Sequence, residues 1–142
     1  MLSIRKATSR DCDVVLTFIN ELENSNFNRK TFEKLYLKNI VSGDNIYLIA
    51  CEYKEAVGFL SCHIQNVLHH NSRVAEIQEM FVLPDFRNKG IGKNLLRELQ
   101  ARLRKLKVRQ LEVASNRRRL RTHQFYLTTN FKWTSKKFVL KY

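Results

Sequence analysis

A short turn rich in glycine and basic residues is the part of this sequence most suited to chemistry. It follows an apolar segment and comes directly before a strongly amphipathic one. Backbone N–H groups at the start of a helix have no partner within the helix and lie at the positive end of its dipole, so they can bind an anion. Gly90 and Gly92 lack a Cβ and let a pyrophosphate approach the main chain, while Arg87, Lys89 and Lys93 add positive charge. The sequence therefore predicts a phosphate-binding turn.

Two familiar phosphate motifs do not fit the spacing of this turn. A P-loop would need Gly-Lys-Ser/Thr, and a Rossmann fingerprint would need a third glycine and an acidic residue about 20 positions further on. A plain helix start containing two glycines is the structural alternative. The apolar segment before the turn and the amphipathic one after it favour the anion site instead.

The elements that position this turn are predicted from the hydrophobic pattern. Apolar residues three and four apart predict a helix over 91–106, and the segment 74–83 predicts a strand that stops at Pro84. The whole pattern predicts an α/β fold, a mixed sheet with helices on its faces, in the order β-α-α-β-β-β-α-β-α-β. Ser9 suits the N-cap of the first helix, and Asn130 suits the left-handed position that ends the last one. Further strands are predicted at 2–7, 46–51, 56–64, 110–114 and 131–140, and further helices start near Ser9 and Phe32 and cover 120–128.

The composition fits one folded domain spanning residues 1–142. The chain is 44% hydrophobic, enough for a core of its own. It has no apolar run as long as a membrane span, and the segment 1–6 lacks the apolar block of a signal peptide. The three cysteines are odd in number and widely spaced, which argues against a disulfide framework or a zinc site. We therefore expect a cytoplasmic protein with no membrane partner.

The net charge of +13, from 26 basic against 13 acidic residues, has three explanations. It could serve nucleic-acid binding, solubility, or an anionic small ligand such as coenzyme A. The basic run at 102–109 lies on the polar face of a predicted helix, where a solvated surface is the default. The run at 117–121 lies where a predicted strand leads into a helix and could bind a phosphate or phosphonate. No stacking aromatics are interleaved with its arginines, so nucleic acid is the weaker explanation.

The run Arg87-x-x-Gly90-x-Gly92 resembles the acetyl-CoA signature of the GNAT family of N-acetyltransferases. The resemblance covers nearly the whole chain, including Val82-x-Pro84, the pair Phe125-Tyr126 and then Asn130-Phe131, where the family commonly has Gly in place of Asn130. It implies an acetyltransferase whose co-substrate acetyl-CoA lies between the strand of residues 80–82 and a splayed parallel neighbour. The residues it implies for acetyl-CoA binding are Met80, Phe81, Val82, Arg87, Asn88, Lys89, Gly90, Ile91, Gly92, Lys93, Asn116 and Tyr126.

A narrower resemblance concerns the amine that accepts the acetyl group. Leu68-His69-His70, Glu76-Ile77-Gln78-Glu79 and His123-x-Phe125-Tyr126-Leu127 are similar to the aminoalkylphosphonate N-acetyltransferases. These transfer acetyl groups to small aminophosphonates, with a divalent metal reported to assist. The expected acceptor is therefore a small primary amine, an aminoalkylphosphonate. A polyamine, an aminoglycoside, a protein amine, or a non-catalytic nucleic-acid-binding or regulatory role are the alternatives.

Acetyl transfer to an amine needs a proton acceptor, a donor to the carbonyl oxygen and an acid for the thiolate. Tyr126 is the candidate acid, because a phenol pKa near 10 is close to that of a thiol; an aromatic anchor in the core is its alternative role. Glu79 and Glu76 are the candidate bases, and a regular strand would place them on opposite faces unless a bulge intervened. A backbone N–H near Met80 or Phe81 is the expected donor.

The histidines suggest a metal, but their spacing does not define a site. His69 and His70 are adjacent in a polar loop, where such pairs are more often solvated than ligating, and His63 lies in a predicted strand. A divalent metal is compatible with the narrower resemblance, yet no metal-binding residue is assigned. A homodimer is left open.

Overall fold

The chain folds into a five-stranded β-sheet accompanied by α-helices. The structure, a computed structural model, describes residues 1–114, 120–135 and 137–142. The sheet has the order β1-β2-β3-β4-β5, so each strand lies beside its neighbours in sequence. The strands are β1 Leu2–Lys6, β2 Asn45–Glu52, β3 Glu55–Val67, β4 Ser72–Val82 and β5 Gln110–Val113, and the helices are α1 Cys12–Glu23, α2 Arg29–Ile40, α3 Ile91–Lys105 and α4 Leu120–Thr128. The predicted α/β class is confirmed.

The chain divides into two compact units. The first, Met1–Glu112, contains β1 to β4 and α1 to α3, and the second, Val113–Tyr142, contains α4. A single domain over residues 1–142 stays a prediction. No helix among the described residues is both long enough and apolar enough to cross a bilayer.

Strands β1 to β4 pair antiparallel, and the tight turn between β2 and β3 is formed by two left-handed residues. Glu52 pairs with Glu55, and the turn residues Tyr53 and Lys54 both have positive φ, 50° and 75°. A two-residue turn of this kind matches the twist of the strands it joins. The strands predicted at 46–51 and 56–64 are therefore confirmed, joined as a hairpin and longer than the pattern indicated.

One face of the sheet is covered by α1 and α2. Tyr47, Phe59 and Phe81 belong to a buried cluster with residues of both helices. The ring of Phe81 lies 5.1 Å from that of Phe18 in α1, and the hydroxyl of Tyr36 in α2 donates to the Thr8 carbonyl at 2.7 Å. This face, the α1/α2 face below, is also the one that receives the polar side chains of the candidate site.

Three details differ from the predictions. The residue that caps the first helical segment is Thr8, whose hydroxyl accepts from the Arg10 N–H, so Ser9 as N-cap was wrong. The polar loop expected around His69 and His70 is instead a short 3-10 turn over Leu68–His70, between the end of β3 and the start of β4. A strand is predicted at 131–140, but the described residues in that range, 131–135 and 137–140, form none.

Asp11 joins β1 to the start of α1. Its carboxylate accepts two hydrogen bonds from the Arg5 guanidinium, both at 2.8 Å, and one from the Thr8 N–H at 2.7 Å. Asp11 is 7% exposed. The hydrogen bonds from Arg5, opposed in part by burial, hold the pKa of Asp11 below its ordinary value. The ionised carboxylate therefore stabilises the fold.

We expect Asp11→Asn to lower the free energy of unfolding by about 1–3 kcal/mol, since Arg5 loses its charged partner. A carboxyl with a lowered folded-state pKa stabilises above its unfolded pKa, and this contribution fades below about pH 4. Urea unfolding at pH 7 and pH 3 measures both effects. The control is Asp13→Asn, whose ion pair with Arg29 is exposed and screened by solvent, so its loss should lower the free energy of unfolding much less. Equal losses in the two variants would contradict this role.

Candidate active site

The turn that the sequence predicts to bind phosphate has open backbone geometry at the start of α3. After a 3-10 turn at Pro84–Phe86, Asn88 and Gly90 adopt positive φ, 62° and 83°, and α3 begins at Ile91 with no side-chain cap. Within residues 1–114, nothing accepts a hydrogen bond from the backbone N–H groups of residues 88–93. A Cβ built on Gly90 would meet no atom within 4 Å. The turn thus presents open donors at a positive helix end.

Arg87 and Lys89 differ in how freely their charged groups can move to bind an anion. The Arg87 Nε donates to the Val82 carbonyl at 2.7 Å, and the guanidinium lies 5.4 Å from the centre of the Phe81 ring. Arg87 therefore ties the turn to the end of β4. The Lys89 ammonium lies 5.4 Å from the centre of the Phe86 ring and stays at the exposed rim. Its flexible stem can bring the charge to a phosphate.

A β-bulge brings the two candidate bases to the same face of the sheet. Ser61 pairs with Glu79, but the next β3 residue, Cys62, pairs with Ile77, which leaves Gln78 as an extra residue in β4. His63 then pairs with Glu76. Ser61 and His63 are two positions apart and share a face, and directly opposed residues point the same way. Glu79 and Glu76 therefore lie on that same face. This is the arrangement expected from the sequence if a bulge interrupts the strand.

The two glutamates have different surroundings. Glu79 is partly buried on the α1/α2 face, and burial is the largest influence on its pKa, which it raises. A hydrogen bond from Ser61 and the neighbouring His63 act in the opposite direction, while Glu23 at the end of α1 raises the pKa further. Glu76 instead accepts a 2.9 Å hydrogen bond from the exposed Gln78 side chain. Glu79 is the better placed proton acceptor.

A set of polar side chains beside Glu79 was missed by the sequence analysis. Tyr47 of β2 lies directly opposite Ser61. The Tyr47 hydroxyl accepts a hydrogen bond from the Asn39 side chain at 2.9 Å, and its oxygen lies 2.8 Å from His63 Nε2. Burial raises the pKa of Tyr47 to about 12, so Tyr47 keeps its proton at neutral pH. The available signal was the presence of Tyr, Ser and His on inward positions of otherwise apolar strands.

Tyr126, the candidate acid, lies in the second unit. It is buried in α4, with the rings of Phe125 and Phe131 at 5.4 and 5.3 Å in edge-on arrangements. The Phe131 N–H donates to the Tyr126 carbonyl, and Asn130 adopts the predicted left-handed conformation with φ 74°. The predicted helix end is confirmed. The role of the hydroxyl stays a prediction.

The described residues do not support a metal site. His69 and His70 are exposed, with ring centres 4.4 Å apart, and His63 is engaged with Tyr47. Over residues 1–114, 120–135 and 137–142, no three His, Cys, Asp or Glu side chains converge as a metal would require. Asn116 and the basic residues 117–119 lie outside the described residues.

Comparison with known proteins gives the geometry a context. The model of the acetyltransferase (GNAT) family matches residues 13–131. An aminoalkylphosphonate N-acetyltransferase from Salmonella typhimurium is 33% identical over 136 residues, covering 96% of this chain and 88% of that protein.

Two solved structures share the fold. A transcriptional regulator from Bacillus halodurans has a TM-score of 0.91 at 17% identity, with all of both chains covered. An aminoglycoside N-acetyltransferase, AAC(6')-Iy in complex with CoA, has a TM-score of 0.88 at 17% identity. The match covers 100% of this chain and 95% of that chain.

We expect Gly90→Asn to weaken acetyl-CoA binding about tenfold or more, because its side chain would occupy the space above the open N–H groups. Asparagine tolerates the left-handed region, as Asn71 and Asn130 do here, so the fold should persist. Isothermal titration measures the affinity, and the melting temperature checks the fold. The matched control, Gly43→Asn, lies in an open turn before β2 and should bind normally. Normal binding by Gly90→Asn would mean that the pyrophosphate lies elsewhere.

Proposed function

The chain belongs to the acetyltransferase (GNAT) family, and on that premise we propose that it acetylates a small primary amine bearing an acidic group, specifically an aminoalkylphosphonate. As a family member it is an acetyl-CoA-dependent N-acetyltransferase. The observation that carries the choice of acceptor is the similarity to the Salmonella typhimurium aminoalkylphosphonate N-acetyltransferase over nearly the full length of both chains. We also propose a reducing, cytoplasmic setting, since Cys12, Cys51 and Cys62 are buried free thiols.

Glu79 is the proposed general base. An amine arrives at neutral pH as an ammonium ion and must lose a proton before its nitrogen can attack the thioester carbonyl carbon. A carboxylate accepts that proton only when ionised, and a raised pKa makes it a stronger acceptor closer to neutral pH. Burial on the α1/α2 face supplies this shift, and the bulge directs the carboxylate away from the opposite face. Glu76 accepts a hydrogen bond from Gln78 and adds a second carboxylate on the same face of the sheet as Glu79.

The remaining steps are assigned to the end of β4 and to α4. When nitrogen bonds to the carbonyl carbon, the C=O electron pair moves to oxygen, where a backbone N–H near Met80 or Phe81 donates a hydrogen bond. The electron pair on oxygen then re-forms the C=O bond as the C–S bond breaks, the C–S pair goes to sulfur, and Tyr126 gives the thiolate a proton. The second amine proton, lost from the attacking nitrogen, restores the phenol. The net result is one proton transferred to Glu79. This matches the single proton released when an ammonium ion and a thioester become an amide and a thiol.

The acceptor needs complementary charges at its two ends. The carboxylates of Glu79 and Glu76 suit the ammonium group of any amine acceptor. A phosphonate would need cations, and the basic run at 117–121 is the proposed source, with residues 117–119 outside the described part of the chain. Arginine forms paired hydrogen bonds with phosphonate-like oxygens, which suits such a run to this task.

Tyr126→Phe is expected to lower kcat about 100-fold while acetyl-CoA affinity stays nearly unchanged, because the hydroxyl acts on the leaving thiolate. The ring contacts with Phe125 and Phe131 persist in this variant, so folding is preserved. Steady-state kinetics and isothermal titration separate the two effects. Tyr142→Phe is the control, since its side chain is fully exposed. Unchanged turnover would leave Tyr126 as an aromatic anchor.

A substrate panel tests the acceptor. We expect aminomethylphosphonate and 1-aminoethylphosphonate to exceed spermidine, an aminoglycoside and a lysine peptide by about tenfold or more in kcat/KM, with and without added divalent metal. Methylamine is the matched control, because it lacks only the acidic group of aminomethylphosphonate. Preference for spermidine, the aminoglycoside or the peptide would contradict the phosphonate assignment. No acetylation of any amine, with no rise in melting temperature on adding acetyl-CoA, would favour a non-catalytic nucleic-acid-binding role instead.

A further inference from the structure

The side chain of Ser61 is an unusual occupant of its position in β3. It is fully buried, at 0% exposure, between strands whose neighbouring inward positions are mostly apolar. A hydroxyl in such a place loses its hydration and must be compensated by hydrogen bonds within the protein. Its polar contacts therefore indicate why serine is present.

Both polar contacts of Ser61 go to the same residue. The Ser61 hydroxyl donates a short hydrogen bond to Oε1 of Glu79, and Ser61 Oγ accepts from the Glu79 backbone N–H at 3.0 Å. The two bonds close a ring that fixes the carboxylate relative to its own main chain. Since Gln78, the residue just before Glu79, is the extra residue of the bulge, this ring forms where β4 is most distorted.

We propose that Ser61 is a positioning residue for the general base: it holds the Glu79 carboxylate in one orientation and favours its ionised form. This inference rests on the proposed role of Glu79. The donated hydrogen bond stabilises the carboxylate and so works against desolvation, which alone would keep Glu79 protonated further into the neutral range. The same bond fixes a side chain that otherwise has several rotamers, and this keeps the base directed towards the acceptor.

Other groups around Glu79 set the background for this effect. His63 on β3 and Tyr47 on β2 share the α1/α2 face with it, Glu76 lies on the same strand, and Glu23 approaches from α1. Ser61 is uncharged, so removing its hydroxyl changes neither the net charge nor the contact between Tyr47 and His63. The effect of Ser61 on the carboxylate can therefore be isolated by substitution.

The test is a double-mutant cycle with Ser61→Ala and Glu79→Gln, read as pH–rate profiles. Ser61→Ala should lower kcat about tenfold, move the acidic limb of kcat/KM to higher pH, and leave acetyl-CoA affinity unchanged. In the Glu79→Gln background the same substitution should cause no further loss, because no base remains to be positioned. Ser61→Thr, which retains a hydroxyl, should keep the limb near its original pH.

Cys62→Ala is the matched control, because Cys62 is equally buried on the same strand but on the opposite face. It should lower the free energy of unfolding without moving the acidic limb. An unchanged limb in Ser61→Ala, or an equal loss of rate in both backgrounds, would overturn the positioning role. Should Ser61→Ala fail to fold, Ser61→Cys provides the same two readouts. If Glu79→Gln itself has full activity, the assignment of the base fails, and that outcome is distinct from a failure of Ser61 alone.

Discussion

One extra residue in β4 determines how the candidate site is built. Pairing between β3 and β4 is regular up to Ser61 and Glu79, and it resumes one residue out of step beyond Gln78. In a regular strand, the two glutamates of Glu-Ile-Gln-Glu are three positions apart and would lie on opposite faces of the sheet. With the extra residue, both face α1 and α2, and Glu79 comes to lie beside Phe81 on a face that is largely apolar. The burial of its carboxylate, and the raised pKa that follows, are consequences of this local distortion.

Charge is distributed unevenly between the two halves of the proposed reaction. The proposed site for the anionic co-substrate uses neutral backbone N–H groups at the start of α3, while Arg87 is largely engaged with Val82 and Phe81. The proposed site for the cationic amine uses carboxylates, although acidic residues are only half as numerous as basic ones. The excess of positive charge can attract the anionic coenzyme A from a distance.

The sequence predicts the regular elements and the turn well, because each has a local signal. Gly90 and the helix after it, the hairpin at Tyr53-Lys54 and the left-handed Asn130 all follow from short-range rules. The location of the bulge and the pairing of Ser61 with Glu79 do not, because register depends on residues far apart in the chain. The predicted last strand illustrates the same limit: an alternating pattern at 131–140 indicates a strand, yet a strand also requires a partner.

The proposed mechanism depends on Glu79 being a partly buried carboxylate with a raised pKa. A ¹³C NMR titration of the Glu79 side-chain carboxyl, assigned by comparison with Glu79→Gln, measures this property without relying on turnover. We expect a midpoint clearly above the ordinary value for a glutamate side chain. A Glu79 midpoint at or below that ordinary value would contradict the proposed role.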